Sequence, residues 1–153
     1  MDGRSLHKGQ ERQTGVALVE ITLLMPWIVF LFVGILDVGF YSYALIVTEN
    51  AARVSAILAS ASIAASSDSL SACTVALQEM NSLPNTVGLT TCGAGTVTTS
   101  APVSVQATSI DNGNGDISSR VTVIYLTLPM IPIPGILPSQ MTVSRASEVR
   151  VGS

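Results

Sequence analysis

The stretch GVALVEITLLMPWIVFLFVGIL, Gly15 to Leu36, decides the fold because it is the only apolar run of membrane length in the 153-residue chain. Its 21 residues from Val16 onward would extend about 31 Å as an α-helix, enough to cross the hydrocarbon core of a bilayer. That span contains one formal charge, Glu20. A carboxylate at bilayer depth costs about 2.5–3.5 kcal/mol and is usually functional and partnered. The sequence thus predicts a transmembrane segment whose single acid needs a cation.

The charges on either side of this run predict its orientation. The preceding residues 1–15, MDGRSLHKGQERQTG, carry Arg4, Lys8 and Arg12, whereas only Arg53 follows within the next 20 residues. Because basic residues collect on the cytoplasmic side of a membrane segment, we expect the N-terminus in the cytoplasm and residues after 36 outside.

Three interpretations of this segment are open. A secretory signal peptide should be followed by a small-residue cleavage site, and the DVGFYSY after Leu36 offers none. An uncleaved anchor fits the aromatic residues 40, 41 and 43, which lie where an interfacial belt belongs. Neither explains Glu20. Cleavage between Gly15 and Val16 would create an amine one helical turn from Glu20, on the same chain or on a neighbour.

The residues of this third interpretation resemble a known processing motif. Gly15, four apolar residues and then Glu20 are similar to the cleavage site of type IV pilins. The wider segment resembles the TadE-like minor pilins of tight-adherence (Flp-type) systems, including Pro26 and the pair Asp37 and Gly39. ENAARVSA, residues 49–56, and the ending TVSRASEVRV with Arg150 also resemble that family.

The resemblance implies a function and a set of partners. A prepilin peptidase would cut after Gly15, and Glu20 would guide assembly with other pilins and the pilus assembly platform. The location implied is the bacterial inner membrane, with one pass, a cytoplasmic N-terminus, an extracytoplasmic head and, after assembly, an extracellular pilus. The function implied is that of a minor pilin or pseudopilin in adhesion or secretion. The alternative is an uncleaved single-pass protein whose head binds a target outside the cell.

Beyond the membrane, the apolar pattern predicts a long helix over residues 16–66. Residues at three- and four-residue steps form an amphipathic stripe: Val38, Tyr41, Leu45, Thr48, Ala52, Ser55, Ala59 and Ile63. Of the 17 residues from Ala51 to Ser67, 12 are Ala or Ser, which let helices approach closely. Glu49 and Arg53 have the spacing of a favourable helical ion pair.

Residues 67–153 predict a small head. Leu70 to Leu83 reads as a short helix that Asp68 or Ser69 caps. Alternating patterns near residues 103–107, 120–128 and 141–151 predict antiparallel strands. The fold class is therefore α+β, with a long N-terminal helix, a short helix and a three- to four-stranded antiparallel sheet. The apolar loop PMIPIPGILP, residues 129–138, is either a contact surface or packed on its own domain.

The two cysteines, Cys73 and Cys92, lie on the same side of the apolar run. If that side is extracytoplasmic, a disulfide is the expected state, and it would contribute about 3 kcal/mol. Two buried free thiols are the alternative.

Composition argues against catalysis and nucleic-acid binding. Charged residues are 11% of the chain and the net charge is -3, with no basic cluster. His7 is the only histidine and Lys8 the only lysine, and both lie in the leader, residues 1–15. DNGNGDI, residues 111–117, has part of a calcium-loop spacing but predicts a hairpin turn. We expect no catalytic residues, no metal site and no cofactor.

Overall fold

The computed structural model describes residues 5–95, 97–113, 115–131 and 139–152. They contain two α-helices and a four-stranded antiparallel sheet, in the order α1 (Ser5–Ala59), α2 (Ser69–Glu79), β1 (Val97–Ser100), β2 (Val103–Asp111), β3 (Ile117–Leu126) and β4 (Thr142–Arg150). Short 3₁₀ helices precede and follow α2, at Ala65–Ser67 and Met80–Ser82. The predicted α+β class is confirmed.

The chain divides into two compact units, Met1–Val38 and Gly39–Ser153. In the first unit the described residues form one helix, which runs through Pro26. Its large apolar side chains are exposed; Leu23, for example, is 70% exposed. This is the expected state of a helix whose apolar surface meets no other element of its own unit.

The second unit begins with the remainder of α1, which packs on the head through small side chains. The buried residues of α1 in this unit are Ala44, Thr48, Ala51, Ala52, Ser55, Ala56 and Ala59. Ile63, the last member of the predicted stripe, is 64% exposed, and Val38 is also exposed. α1 ends at Ala59, several residues before the predicted end at 66, because Ser60 begins a turn.

Helix α2 begins where the sequence indicates. The Asp68 carboxylate accepts hydrogen bonds from the backbone N–H groups of Leu70, at 3.0 Å, and Ser71, at 3.2 Å. These are donors that the first helical turn cannot satisfy internally. α2 ends at Glu79, earlier than the predicted Leu83, because the next three residues tighten into a 3₁₀ turn.

The sheet is a simple meander with the spatial order β1-β2-β3-β4. Its inner face carries the buried side chains Val103, Val105, Val121, Val123, Tyr125 and Val143, which complete the core with residues of both helices. Buried hydroxyl groups connect the helical segments to the sheet: Ser119 Oγ donates to Ser66 O at 2.9 Å, and Ser69 Oγ accepts from Ala107 N at 2.9 Å. The predicted hairpin is present, since Asp111 pairs with Ile117 across the turn. The apolar loop lies mostly outside the described residues.

Candidate assembly site on the N-terminal helix

Gly15 and Val16 lie in α1 with their surroundings open. Gly15 is exposed, and a Cβ placed on it would meet no atom within 4 Å. Packing within the described structure therefore does not require glycine at this position. Val16 is also exposed, at 65%.

Glu20 lies one helical turn after Val16, with an axial rise of about 6 Å. It is exposed, and it takes part in none of the ion pairs formed by described residues. The nearby Thr22 hydroxyl donates to the carbonyl oxygens of Leu18 and Val19, at 2.8 and 2.9 Å, and so serves its own helix. The carboxylate is therefore available to a positive group from outside the described part of the chain.

The surroundings of Glu20 are apolar. Among the described residues, one helix is long and apolar enough to cross a membrane by length and composition, Gly15–Ala59. None of its most apolar stretch is buried within the chain. An unpaired carboxylate on such a surface loses water when the surface is covered by lipid or by another helix. Electrostatic attraction to a cation would then be stronger than in water.

Asp37 is a second acid of α1, noted in the sequence only as part of the resemblance. It is 8% exposed, and its Oδ2 atom is buried without a hydrogen-bond partner among the described residues. Almost all buried polar side-chain atoms in folded proteins have a partner, so an exception needs an explanation. The sequence signal that could have drawn attention to it is simple: Asp37 is the first acid after Glu20 in an otherwise apolar helix.

Three arginines of the head are paired within the chain. Arg120 Nη2 lies 2.7 Å from Glu148 Oε2, Arg150 pairs with Asp116, and Arg145 Nε lies 4.0 Å from a carboxylate oxygen of α1.

The α1 oxygen near Arg145 belongs to Glu49, which the sequence paired with Arg53 instead. Arg53 is exposed and takes part in no ion pair among the described residues. The predicted ion pair between Glu49 and Arg53 rested only on their four-residue spacing along the helix. Arg145 of β4 lies far along the chain, so spacing within the helix could not reveal that it also approaches Glu49.

The two cysteines form a disulfide in the structure, between Cys73 of α2 and Cys92 of the segment that leads to β1. No cysteine is free. Within the described residues, no group of three His, Cys, Asp or Glu side chains could hold a metal ion.

Two ionisable groups of the head are perturbed by their surroundings. Hydrogen bonds from the Ser71 side chain, the Ser71 N–H and the Leu70 N–H lower the pKa of the Asp68 carboxyl below its ordinary value. Burial raises the pKa of the Tyr125 hydroxyl, and the hydrogen bond to Asn85 only partly opposes that effect. Both groups serve the fold: one caps a helix, and the other lies in the core.

Comparison with protein-family models gives a match in the N-terminal part of the chain. Residues 15–56 match the family model described as TadE-like protein. The match begins at Gly15, includes Glu20, Asp37 and Arg53, and confirms the predicted resemblance of the N-terminal segment. Searches of curated proteins and of solved structures give no match.

Proposed function

We propose that this chain is a minor pilin or pseudopilin, a non-enzymatic structural subunit of a tight-adherence pilus. The family match supports association with such a pilus, and the transmembrane-capable helix supports a membrane-anchored precursor. In this proposal residues 1–15 are a cytoplasmic leader, residues 16–66 form the rod and residues 67–153 form the extracytoplasmic head. The partners are a prepilin peptidase, the assembly platform in the bacterial inner membrane, and other pilins.

The observation that carries the proposal is the state of Glu20. It is an exposed carboxylate, unpaired among described residues, on an apolar helix and one turn from Val16. Cleavage after Gly15 would remove the basic leader and create an α-amine on Val16. The cut thus supplies the positive charge that Glu20 lacks, on its own chain or on a neighbour.

Pairing with an amine would offset the energetic cost of a carboxylate in the membrane; the alternative is that Glu20, only one turn inside the segment, reaches the cytoplasmic interface. A carboxylate at the centre of a membrane helix costs about 2.5–3.5 kcal/mol. Removing one member of a buried ion pair is strongly destabilising, because the other charge stays buried without compensation. A subunit would thus be retained where its Glu20 meets a free amine.

The first test measures the mature N-terminus. Intact mass of the protein purified from its native membrane, with the prepilin peptidase active, should show loss of residues 1–15. Gly15→Val should abolish this loss, because it removes the glycine after which the proposed peptidase would cut. A full-length mass for the wild-type protein would contradict the pilin proposal and favour the uncleaved single-pass protein.

The second test removes the charge of Glu20. Glu20→Ala should leave insertion and cleavage intact, and should ease insertion by up to about 3 kcal/mol. Recovery in the sheared-filament pool should nevertheless fall steeply relative to wild type. Glu148→Ala is the matched control, since it makes the same substitution on the exposed face of the sheet. Equal filament recovery of the Glu20→Ala protein and wild type would contradict a pairing role.

A further inference from the structure

A groove in the second unit, Gly39–Ser153, lies between α1 and β4. It has a volume of about 360 Å³, and its walls are Glu49, Arg53 and Ile57 of α1 and residues 146–149 of β4. Successive residues of a strand face opposite sides of a sheet, so a groove lined by four in a row lies along the edge of the strand. β4 is the last strand of the order β1-β2-β3-β4, and this groove therefore follows an open edge of the sheet.

Hydrogen bonds just beyond the two ends of β4 show which of its backbone groups point toward this edge. Met141 O accepts from Thr127 N, and Val151 N donates to Ile117 O. In an antiparallel pair such bonds recur at every second residue. The odd-numbered residues of β4 therefore bond β3, and the even-numbered ones turn their N–H and C=O groups to the open edge: Thr142, Ser144, Ala146, Glu148 and Arg150. The N–H groups of Ala146 and Glu148, which line the groove, have no partner among the described residues.

Arg53 is the charged residue of this groove that forms no ion pair with a described residue. The other three arginines of the second unit pair with Glu49, Asp116 and Glu148. Its other three acids bind polar groups of the same unit: Asp68 caps α2, Glu79 accepts from Asn50, and Asp111 accepts from Gly113 N. All six acids of this unit lie among the described residues. A carboxylate for Arg53 would thus come from outside this unit, and a second copy of the unit has no unengaged carboxylate to offer.

Contacts near both ends of the groove align α1 with β4. Glu49 Oε2 lies 4.0 Å from Arg145 Nε, and further along the helix Ser60 O accepts from Gly152 N at 3.2 Å. The helix and the strand therefore run in the same direction, and a position along one corresponds to a position along the other. Arg53 lies between these two contacts.

Arg53 and Ile57 set the chemistry of the side chains that could enter the groove. They are one helical turn apart, and Ile57 is apolar and 54% exposed. Side chains directly opposite each other on neighbouring strands share one face of the sheet. On a strand added to β4, the residues opposite Ser147 and Val149 would therefore turn to the face on which the helices pack. A carboxylate suits the first of these positions, and an apolar side chain suits the second.

We infer that an extended segment of another pilin subunit adds to β4 as a fifth strand, with a carboxylate against Arg53 and an apolar side chain two residues away against Ile57. This inference rests on the proposed function. Backbone hydrogen bonds to the even-numbered residues of β4 supply affinity, and the two side chains supply selectivity. Arg53 can present two N–H groups to one carboxylate, and covering the groove removes water that would weaken the ion pair.

Hydrogen exchange tests the added strand through its backbone bonds. Sheared filaments are compared with the same chain purified from the membrane in detergent, with a residue-level readout by mass spectrometry. The amides of Ala146 and Glu148 should exchange about tenfold or more slowly in filaments. Those of Ser147 and Val149, which bond β3 in both samples, are the internal control. Equal exchange of Ala146 and Glu148 in the two samples would overturn the inference.

Variants of Arg53 test the carboxylate of the added strand. Arg53→Gln removes the charge and should lower recovery in the sheared-filament pool about tenfold, whereas Arg53→Lys keeps the charge and should retain most of that recovery. Charged side chains also protect open strands against self-association. Unchanged filament recovery of the Arg53→Gln protein would contradict the inference, and a rise in its self-association in detergent would instead assign Arg53 that protective role.

Crosslinking identifies the occupant of the groove. A photoreactive amino acid at position 57, in filaments assembled from ¹⁵N-labelled and unlabelled copies, should attach to a peptide of another pilin. That peptide should alternate polar and apolar residues and have an Asp or Glu two residues from the crosslinked position. Mixed-isotope products of this chain would show that a second copy fills the groove and would contradict the inference. Absence of the wild-type chain from filaments would instead contradict the proposed function, and the same crosslink in the membrane fraction would then decide the inference.

Discussion

Residues 16–36 and 39–59 are two equally long parts of helix α1 that differ in which side chains they bury. The first part carries large apolar side chains that are exposed, such as Trp27 at 66%. The second buries small ones, and Ala51 and Ala56 are both 0% exposed. Within this one helix, the residues that the chain buries are small, and the large apolar side chains of the first part are exposed.

The difference reflects what each part must contact. Alanine and serine bring the backbone of α1 close to other elements, as the hydrogen bond from Ser55 Oγ to Ala72 O at 3.0 Å shows. Large side chains on the first part would instead meet lipid tails or other helices. The following experiments separate the contributions of the two parts.

The largest expected effect is confined to the second part and its head. Replacing both Cys73 and Cys92 with serine removes a crosslink between residues 19 apart in sequence. The chain-entropy model predicts a loss of about 3 kcal/mol in the free energy of unfolding of the head. Thermal unfolding in detergent by circular dichroism measures this loss. The fluorescence of Trp27, the only tryptophan, should stay unchanged, because this residue reports on the first part. A change in Trp27 fluorescence at the unfolding temperature of the head would show that the two parts do not respond separately.

One substitution made in both parts sharpens the comparison. Ala56→Leu places three extra carbon atoms at a fully buried position and should lower the free energy of unfolding of the head by about 1–3 kcal/mol. Ala17→Leu makes the same change at an exposed position and should have no effect on the head. Unfolding curves of the two variants in one detergent check this. Equal destabilisation would show that the small residues of α1 are not selected for close packing.

The smallest effect concerns alkaline pH. Burial raises the pKa of Tyr125 above its ordinary value of 10.0, so the folded head holds this proton more tightly than the unfolded chain. Its contribution to stability is fully present below about pH 10 and is lost as pH rises through the raised pKa. Tyr125→Phe should remove this alkaline component and cost about 1 kcal/mol at neutral pH through the lost hydrogen bond.

Lysine titration does not complicate this measurement, because the sequence after residue 15 contains no lysine. Tyr43→Phe makes the same substitution at a position 44% exposed and is the control. An unchanged alkaline profile in Tyr125→Phe would mean that burial of this hydroxyl does not govern the profile.

Elements with a strong periodic pattern were predictable from sequence. The apolar run gave the first half of α1, and the alternation of Val121, Val123 and Tyr125 gave β3. Asp68 identified the start of α2 because an aspartate can satisfy the free N–H groups of a first turn.

Elements without a strong periodic pattern were not predictable from sequence. β1 has four residues, VTTS, of which only Thr98 is buried, too few for an alternation to be recognised. The end of α1 lies in a run of alanine and serine that lacks a stop signal. In the candidate site, the spacing of Gly15, Val16 and Glu20 in the sequence was enough to identify these three residues. The burial of Asp37 and the pairing of Glu49 with Arg145 depend on the folded chain and could not be predicted.

The meander order of the sheet has a consequence for synthesis. β4 is the last of the four strands to leave the ribosome, and the residues after it must return to the turn that follows α1, where Gly152 N donates to Ser60 O at 3.2 Å. Until then β3, the longest strand, has one unpaired edge. An unpaired edge is a template for pairing with another chain. A nascent head is thus most prone to aggregation just before its final strand arrives, when α1 has long since been made.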